Sequence, residues 1–365
     1  MDRIINQVDR ITPELIDGIK RIVKIPSVQD TAIDDAPYGE NVRKALLETL
    51  NLCKELGFDI VNIDNHIGYA SYGPKDKDGY IAAIGHLDVV PVGEGWKHDP
   101  FSVYEEDGII YSRGILDNKG PIISCLYALY TLKQLGYKPK REIRIIFGCN
   151  EETGFQDLKY YLSKEQPPLA GFTPDCKFPV VYAERGRLVV NIKYSNNQAL
   201  HQFLNTYILN SDNSGVKLGI DFRNDEFGKL ETRNYKIIDD RTFQFAISYP
   251  YGITCKELVA KLNDKGLDVD VVGNYDPVYF NRNASMISIM QKAYEAITGM
   301  DGTPVTTTGG TYAKLMPHIV PFGPSFPGQK GIGHNPNEWM KIGDIITITK
   351  IYALTLYWLG LEEHL

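Results

Sequence analysis

Five short stretches of the sequence carry histidine or acidic residues where strands or loops are predicted to end. They are GHLDVVP with His86 and Asp88, GILDNKG with Asp117, NEETG with Glu151 and Glu152, FTPDCKF with Asp175, and GHNPNE with His334. Two imidazoles and several carboxylates gathered in one place suit zinc or another divalent transition metal. The set is large enough for two metals, because one acid can bridge them. Two such metals can bind a water and a substrate oxygen for hydrolysis.

Each stretch taken alone also has an ordinary structural interpretation. Asp117 precedes a predicted helix and could be its N-cap. Glu151 and Glu152 could lie in a solvated turn, Asp175 follows a proline and could be a turn residue, and His334 could be a loop histidine. Five independent coincidences in one chain are much less probable than one, so the set as a whole favours a metal site.

The elements that must position these side chains follow an α/β pattern. Residues 80–84 form a compact apolar run that ends at Gly85-His86, and residues 141–149 form a second apolar strand that runs into Glu151. Pro121 lies near the start of a long apolar helix that ends at Gly136. Alternating strands and helices predict a mostly parallel sheet covered on both faces. Ligands bind such sheets at the carboxyl ends of the strands.

The pattern changes between residues 185 and 274. Here the sequence predicts strands at 188–194, 216–222, 229–238, 242–249 and 267–272, and helices at 199–209 and 255–262. After Pro277 the chain returns to long amphipathic helices. We therefore predict a small α+β domain, 185–274, inserted into a larger domain made of 1–184 and 275–365.

Composition and charge exclude several classes of function. The 365 residues carry 39 Lys and Arg against 46 Asp and Glu, a net charge of −7 without a basic block, so we expect no nucleic-acid or membrane partner. The five cysteines form no CxxC pair, which favours a reducing compartment over a disulfide framework. The N-terminus lacks the apolar segment of a signal peptide, and the apolar stretch 120–132 is too short to cross a bilayer. We expect a cytoplasmic protein.

The order and context of the motifs resemble those of a known family. The matching stretches are GHLDVVPVGEGWKHDPF, YSRGILDNKGP, IFGCNEETG, FTPDCKFPVVYAERG, TTTGGTYAK and GHNPNE. They resemble the dinuclear-zinc family of aminoacylases, carboxypeptidases, desuccinylases and dipeptidases (metallopeptidase clan MH), and look closest to the PepV-type dipeptidases. The resemblance implies a zinc-peptidase-like catalytic domain with a mostly parallel central sheet, plus a small inserted α+β lid domain.

The resemblance also implies a set of metal ligands. His86, Asp117 and Asp175 would hold one divalent ion, and Asp117, Glu152 and His334 would hold a second, with Asp117 as the bridge. Zinc is the expected metal, and manganese and cobalt are the alternatives.

The remaining site residues would act on the ligands, the water or the substrate. Asp88 would accept a hydrogen bond from the His86 ring and fix its tautomer. Glu151 would be the general base that takes a proton from the water and passes it to the leaving amine. The turn Gly309-Gly310-Thr311 would bind substrate through backbone N–H groups, with a plain tight loop as its alternative interpretation.

The inserted domain departs from the family in three ways. It has no Ala-His-Ala-Ser motif, whose histidine polarises the scissile carbonyl in relatives. Ser248 stands where an Asp-x-Arg-Tyr-Pro motif supplies the arginine that binds the substrate carboxylate, and Arg223 and Arg241 are its neighbours in sequence. The lid also lacks a long middle part. We expect an open, wet site with poor dipeptide turnover and weak discrimination by chain length.

Together these features predict a metal-dependent hydrolase that cleaves an amide bond in dipeptides or small N-acyl amino acids. Two alternatives stay open. One is a deacylase or desuccinylase of the same family, and the other is a degenerate member that binds metal or peptide with little or no turnover. Both monomer and dimer are compatible with the sequence.

Overall fold

The computed structural model describes residues 1–75, 79–329 and 332–363, and within them the chain forms two compact units. The larger unit comprises Met1–Val181, Arg282–Pro304 and Thr311–Leu365, and the smaller comprises Tyr182–Asn281 and Val305–Gly310. The smaller unit is wider than the range 185–274 read from the sequence. The reason is that its strands near residues 278 and 305 share a sheet with the strand that ends at Glu184.

The structure gives the helices and strands the following bounds. The helices are α1 (Asp2–Arg10), α2 (Thr12–Val23), α3 (Glu40–Glu55), α4 (Lys119–Gln134), α5 (Gln156–Lys164), α6 (Asn197–Phe203), α7 (Cys255–Asp264), α8 (Ser285–Thr298) and α9 (Ile342–Leu361). The strands are β1 (Asp59–Ile63), β2 (Ile67–Tyr72), β3 (Tyr80–His86), β4 (Tyr104–Glu106), β5 (Ile109–Tyr111), β6 (Glu142–Gly148), β7 (Ala170–Thr173), β8 (Cys176–Lys177), β9 (Val181–Glu184), β10 (Gly186–Lys193), β11 (Arg223–Asn224), β12 (Gly228–Lys229), β13 (Glu231–Ile237), β14 (Thr242–Tyr249), β15 (Asp268–Tyr275), β16 (Val278–Tyr279), β17 (Val305–Thr307), β18 (Ile319–Pro321), β19 (Pro324–Ser325) and β20 (Trp339–Lys341).

The larger unit is built on a six-stranded sheet in the order β1-β2-β6-β3-β7-β18. Strands β6, β3, β7 and β18 run parallel, whereas β1 and β2 are antiparallel to their neighbours. Every residue of β3 is buried, as expected for a central strand covered on both faces. This confirms the predicted α/β class with a mostly parallel central sheet.

Apolar helices cover this sheet. Helix α4 is buried along almost its whole length and packs against α9, α2 and β3. Helix α9 is long and apolar enough, by length and composition alone, to cross a membrane, with a mean hydropathy of 1.2. However, 56% of its apolar 18-residue segment is buried inside the protein, where α9 packs against α4 and α8. We therefore interpret α9 as a core helix.

The smaller unit contains a four-stranded antiparallel sheet in the order β13-β14-β10-β15. Alternate residues of β10 and β14, such as Leu188, Val190, Phe245 and Ile247, join a core with residues of α6 and α7. The intervening residues of the same strands point to the opposite face. One face of this sheet is therefore a core face, and the other carries polar side chains.

One strand expected in the smaller unit is wrong. Residues 216–219 form a turn, and no residue of 216–222 is in a strand. Gly215 and Gly219 both adopt positive φ, of 78° and 70°, which an extended strand does not allow. The apolar side chains in this stretch, including Leu218 and Ile220, still enter the core. Their hydrophobicity therefore correctly indicated burial, but it did not indicate a strand.

Candidate active site

The sheet of the larger unit brings three of the five sequence stretches to one edge. His86 is the last residue of β3, Glu151 and Glu152 follow β6, and Asp175 follows β7. Strand β3 lies between β6 and β7 and is parallel to both. Because the carboxyl ends of parallel strands meet at the same edge, these side chains converge.

Asp117 lies between the two histidines. Its Oδ1 is 3.1 Å from His86 Nε2, and its Oδ2 is 2.9 Å from His334 Nε2. The side chain comes from the loop before α4, and His334 comes from the segment before β20. The two oxygens of one carboxylate therefore face two different imidazoles, which is the arrangement that a bridging ligand requires.

The other carboxylates complete two groups of potential metal donors. His334 Nε2 is 3.1 Å from Glu152 Oε2, and His86 Nε2 is 3.7 Å from Asp175 Oδ2. In the described residues, donor atoms of His86, Glu151 and Asp175 lie within 4.8 Å of one another, and so do those of His86, Asp117 and Glu152. Imidazole nitrogens and carboxylate oxygens at such separations fit divalent metal ions.

Burial and crowding perturb the ionisation of this cluster. Hydrogen bonds to Asp117 and Glu152 raise the pKa of His334 to about 11. Burial raises the pKa of Asp175 to about 7, and burial together with the nearby Asp175 raises the pKa of Glu151 well above its usual range. Burial also raises the pKa of Glu152, whereas hydrogen bonds from His334 and His86 lower the pKa of Asp117 despite its burial. A divalent cation would favour the ionised form of all four carboxylates.

Asp88 approaches the His86 ring more closely with its backbone carbonyl than with the carboxylate expected to bond it. His86 Nδ1 is 2.8 Å from the backbone carbonyl oxygen of Asp88 but 3.5 Å from its carboxylate oxygen. A carbonyl only accepts, so this bond leaves the proton on Nδ1 and directs Nε2 towards Asp117. The Asp88 carboxylate accepts hydrogen bonds from the backbone N–H groups of Glu151, at 3.2 Å, and Glu152, at 3.1 Å. The backbone of Asp88 therefore fixes the histidine, and its side chain holds the glutamate turn.

A second buried carboxylate, that of Asp157, bonds to the backbone just before the glutamate turn. Asp157 accepts hydrogen bonds from the backbone N–H groups of Cys149, at 2.6 Å, and Asn150, at 2.9 Å, and from the hydroxyl of Tyr312. The side chain is fully buried, and burial raises the pKa of Asp157 to about 6. Asp88 and Asp157 together hold four consecutive backbone N–H groups, from 149 to 152.

Glu338 holds the backbone around Asp117, a role that sequence reasoning missed. Its Oε1 accepts hydrogen bonds from the N–H groups of Leu116, at 2.8 Å, and Asp117, at 3.0 Å. Its Oε2 accepts from Gly114 N–H, at 3.2 Å, and from Arg113 Nη1, at 2.8 Å. Glu338 is fully buried and is the last residue of the GHNPNE stretch. That position was the only signal in the sequence, because its partners lie more than 200 residues earlier.

A cavity of about 250 Å³ opens beside Asp117 and Asp175. The other residues lining it are Leu116, Cys176, Pro324, Ser325, Gln329, Ile332 and Gly333. Its volume is below the range of drug-sized pockets and suits a small substrate group.

The predicted glycine turn lies where the chain passes from one unit to the other. Gly309 and Gly310 belong to the smaller unit and Thr311 to the larger. A Cβ at Gly309 would meet no protein atom closer than 3.8 Å, so packing does not require glycine there. The Thr311 hydroxyl accepts from Ala313 N–H at 3.2 Å and caps the 3₁₀ turn Tyr312–Lys314.

The sequence profile of peptidase family M20/M25/M40 matches residues 82–358, which include all the strand-end residues described above. This chain belongs to that family. The match confirms the resemblance read from the motifs, and the protein is a hydrolase of the M20 peptidase class.

Individual M20 relatives match over nearly their whole length. The Beta-Ala-Xaa dipeptidase of Lactobacillus delbrueckii subsp. lactis is 27% identical over 457 aligned positions, covering 96% of this chain and 97% of that protein. A putative dipeptidase of Bacillus subtilis (strain 168) is 26% identical over 458 positions, covering 96% and 98%. Both alignments contain more positions than the 365 residues of this chain, so parts of each relative have no counterpart here.

Solved structures share the fold at low sequence identity. Human carnosine dipeptidase 1 superposes with a TM-score of 0.77 and 16% identity, covering 98% of both chains. At this identity the likeness shows the fold alone.

Proposed function

We propose that this M20 peptidase is a metal-dependent hydrolase that cleaves the amide bond of dipeptides or small N-acyl amino acids. The observation that carries the proposal is the Asp117 carboxylate, whose two oxygens face His86 and His334 at the edge of the parallel sheet. Dipeptides are favoured because the matching relatives are named as dipeptidases.

The proposed cofactor is a pair of divalent ions, zinc first, with manganese or cobalt as alternatives. His86, Asp117 and Asp175 would hold one ion, and Asp117, Glu152 and His334 would hold the other. When bound, such ions polarise a carbonyl oxygen and lower the pKa of a water molecule. The two donor groups within 4.8 Å support a metal site in this cluster, but they divide the donors differently. The first group has Glu151 in place of Asp117, and the second has His86 in place of His334.

Glu151 is the proposed general base. Its carboxylate would accept a proton from the attacking water and then donate that proton to the nitrogen of the leaving amine. Two contacts support a fixed position for it. Its backbone N–H donates a hydrogen bond to the Asp88 carboxylate. The backbone N–H groups of the two preceding residues, 149 and 150, donate to the Asp157 carboxylate. A base that is held in place loses no time or entropy in reorienting at each turnover.

Two further parts of the proposal concern the smaller unit and the cell. The inserted range 185–274 would be a shortened lid, as the missing middle part of the family's lid in the sequence suggests. Gly309, Gly310 and Thr311 would bind the substrate through backbone N–H groups. The five cysteines form no disulfide in the described part of the chain, which supports a cytoplasmic location.

A metal-reconstitution assay tests the function. The full-length protein is stripped with a chelator, reloaded with zinc, manganese or cobalt, and assayed against dipeptides, tripeptides and N-acyl amino acids. We expect metal-dependent hydrolysis of dipeptides that the chelator abolishes. Matched N-terminal residues across the dipeptide and tripeptide series also test the expected weak discrimination by chain length.

The assay also separates the alternative functions. Preference for N-acyl amino acids would assign the chain to the deacylase or desuccinylase class. Stoichiometric metal binding without hydrolysis of any substrate would assign it to the binding-only class, which the serine at position 248 favours.

A further inference from the structure

The two histidines of the strand-end cluster are held in different ways. His86 ends a central strand, its side chain is fully buried, and its Nδ1 is 2.8 Å from the carbonyl oxygen of Asp88. His334 belongs to residues 332–338, which form turns and bends and are called the histidine segment below. Its side chain is 55% exposed. The position of His334 therefore depends on the groups to which this segment is bonded.

Asn337 bonds the histidine segment to a second irregular loop, residues 92–97. Its Oδ1 accepts a hydrogen bond from Lys97 N–H, at 2.8 Å, and its Nδ2 donates to the Gly95 carbonyl oxygen, at 3.1 Å. One side-chain amide thus uses both its acceptor and its donor on backbone groups two residues apart. Among short side chains only that of asparagine offers both functions in a planar amide. The φ of Asn337 is 60°, a left-handed conformation that asparagine adopts more readily than most residues.

The loop that Asn337 contacts is itself bonded back to the histidine segment. Trp96 Nε1 donates to the Val92 carbonyl oxygen at 2.7 Å, and Arg113 Nη2 donates to the same oxygen at 3.2 Å. The Arg113 guanidinium lies 5.2 Å from the centre of the Trp96 ring, and its Nη1 donates to Glu338 at 2.8 Å. Glu338 directly follows Asn337, so these contacts form a closed ring.

The ring of contacts acts on two different metal donors. Glu338 bonds to the backbone at Asp117, as described above, whereas Asn337 holds the turn that presents His334. Distances between a metal ion and its ligands vary by only about 0.2 Å in a well-formed site. Because three residues separate Asn337 from His334, a segment released from the loop would displace the imidazole by more than such a site tolerates.

We propose that Asn337 is a positioning residue for His334. By bonding the histidine segment to loop 92–97, it would set the affinity for the ion that His334 would hold. The ion belongs to the pair in the proposed function, so this part of the inference rests on that proposal, whereas the bonds of Asn337 do not. All of these residues lie in the larger unit.

Two substitutions of Asn337 separate its bonds from its backbone conformation. Asn337→Gly removes both bonds and keeps the left-handed backbone, which glycine adopts without strain. Asn337→Asp keeps the acceptor for Lys97 N–H and loses the donor, so it reports on the bonds even if the glycine variant does not fold. Asn65→Gly is the matched control. Asn65 is also half-buried, has a φ of 59°, and donates to the Asp35 carbonyl oxygen at 2.8 Å, in the turn between β1 and β2.

Metal retention tests the role without turnover. The full-length proteins are loaded with zinc and desalted, and the bound metal is measured by elemental analysis and by competition with a chromogenic chelator. We expect the wild type and Asn65→Gly to retain two ions. Asn337→Gly should retain one, because its affinity for the other falls about 10–100-fold, and Asn337→Asp should lie between them. A wild type that binds fewer than two ions, or equal retention in wild type and Asn337→Gly, overturns the proposal.

A double-mutant cycle shows whether Asn337 acts through His334. In the His334→Ala background, Asn337→Gly should cause no further loss of metal affinity, since the group that it positions is already absent. A further loss of the same size as in the wild type would place the effect of Asn337 elsewhere and overturn the proposed role.

Amide hydrogen exchange tests the bonds themselves in the chelator-treated protein. Exchange at Lys97 N–H should be about tenfold faster in Asn337→Gly than in the wild type and unchanged in Asn65→Gly. An equal rate in all three proteins would overturn the proposal, because the bond from Lys97 would then give no protection.

Dipeptide hydrolysis by the same samples separates this inference from the proposed function. Two ions in the wild type and one in Asn337→Gly, with hydrolysis by neither protein, would mean that the proposed function fails and the role of Asn337 stands. Hydrolysis by the wild type with equal metal retention in both proteins would mean the reverse.

Discussion

The strand-end cluster of the larger unit and the polar sheet face of the smaller unit are built in opposite ways. In the cluster, acidic side chains are supported by backbone N–H groups from other segments, as Asp88, Asp157 and Glu338 show. On the sheet face, Arg187 is exposed, and the Ser248 hydroxyl has no hydrogen-bond partner within the described residues. One region is organised before a ligand arrives, and the other depends on a few side chains.

This difference determines where substitutions should be costly. A residue that holds several backbone groups cannot be replaced without moving functional side chains, so changes in the cluster should have large effects. A change in a helix of the smaller unit should cost a little stability and leave the cluster intact.

The largest effect is expected at Glu151. Glu151→Gln should lower kcat by about 10²–10⁴-fold, because an amide cannot accept the proton of the attacking water. Its metal content, measured by elemental analysis, should equal that of the wild type. Glu152→Gln is the matched control and should lose metal, since Glu152 contacts His334. If Glu151→Gln lost metal and Glu152→Gln retained it, the two roles would be exchanged.

Glu338→Gln should have the next largest effect. The glutamine amide has only one acceptor oxygen. Some of the N–H donors between residues 113 and 117 that bond to Glu338 would therefore face an NH₂ group. We expect metal affinity to fall about 10–100-fold, as for other residues that orient metal ligands. Competition with a chromogenic chelator measures it.

A second buried ion pair provides the control for Glu338. Glu142 is paired with Arg144 at the start of β6, at the end of the strand away from the cluster. Glu142→Gln should destabilise the fold without changing metal affinity. Equal losses of metal affinity in both variants would mean that Glu338 acts only through general stability.

Asp157 should give the larger unit a characteristic pH dependence. Its pKa of about 6 in the folded protein exceeds the ordinary value of about 3.9, so the folded state binds more protons between these values. The free energy of unfolding should therefore fall by roughly 2–3 kcal/mol, from this group alone, as the pH rises from 4 to 7. Urea unfolding of the metal-free wild type and Asp157→Asn should show this slope in the wild type only, and parallel curves would contradict the prediction.

The smallest effect is expected in the smaller unit. Thr254 caps α7, where its Oγ1 accepts from Glu257 N–H at 3.2 Å and Glu257 accepts from Thr254 N–H at 2.8 Å. Thr254→Ala should cost about 1 kcal/mol of stability, and Thr254→Ser should restore most of it. Metal content and kcat should not change. A drop in either would show that the cluster depends on the smaller unit more than its own contacts indicate.

The parallel sheet and the gathering of His86, Glu151 and Asp175 at its edge could be anticipated from the sequence. Each of the three follows an apolar run that predicts a strand. Because the carboxyl ends of parallel strands meet at one edge of the sheet, all three are expected there. Other features depend on the path of the backbone. Nothing in the sequence distinguishes the carbonyl of Asp88 from its carboxylate as the partner of His86.

Register and distance explain what else the sequence did not show. Arg187 and Ser248 are neighbours because β10 and β14 pair in one antiparallel register, which distance along the sequence does not reveal. The turn at 216–219 replaced an expected strand because two glycines with positive φ reverse the chain.

The bonds from Glu338 to the backbone near Asp117 also set an order of events during synthesis. They join positions 222 and 221 residues apart, and the larger unit itself is interrupted by the smaller one. A nascent chain emerges from its N-terminus, so the smaller unit can be complete while Asp117 still lacks its support. At 5–20 residues per second, the ribosome needs roughly 10–40 s to make the residues between them. The acidic cluster therefore matures late, and a chain that stops before residue 338 carries its carboxylates without the contact that positions them.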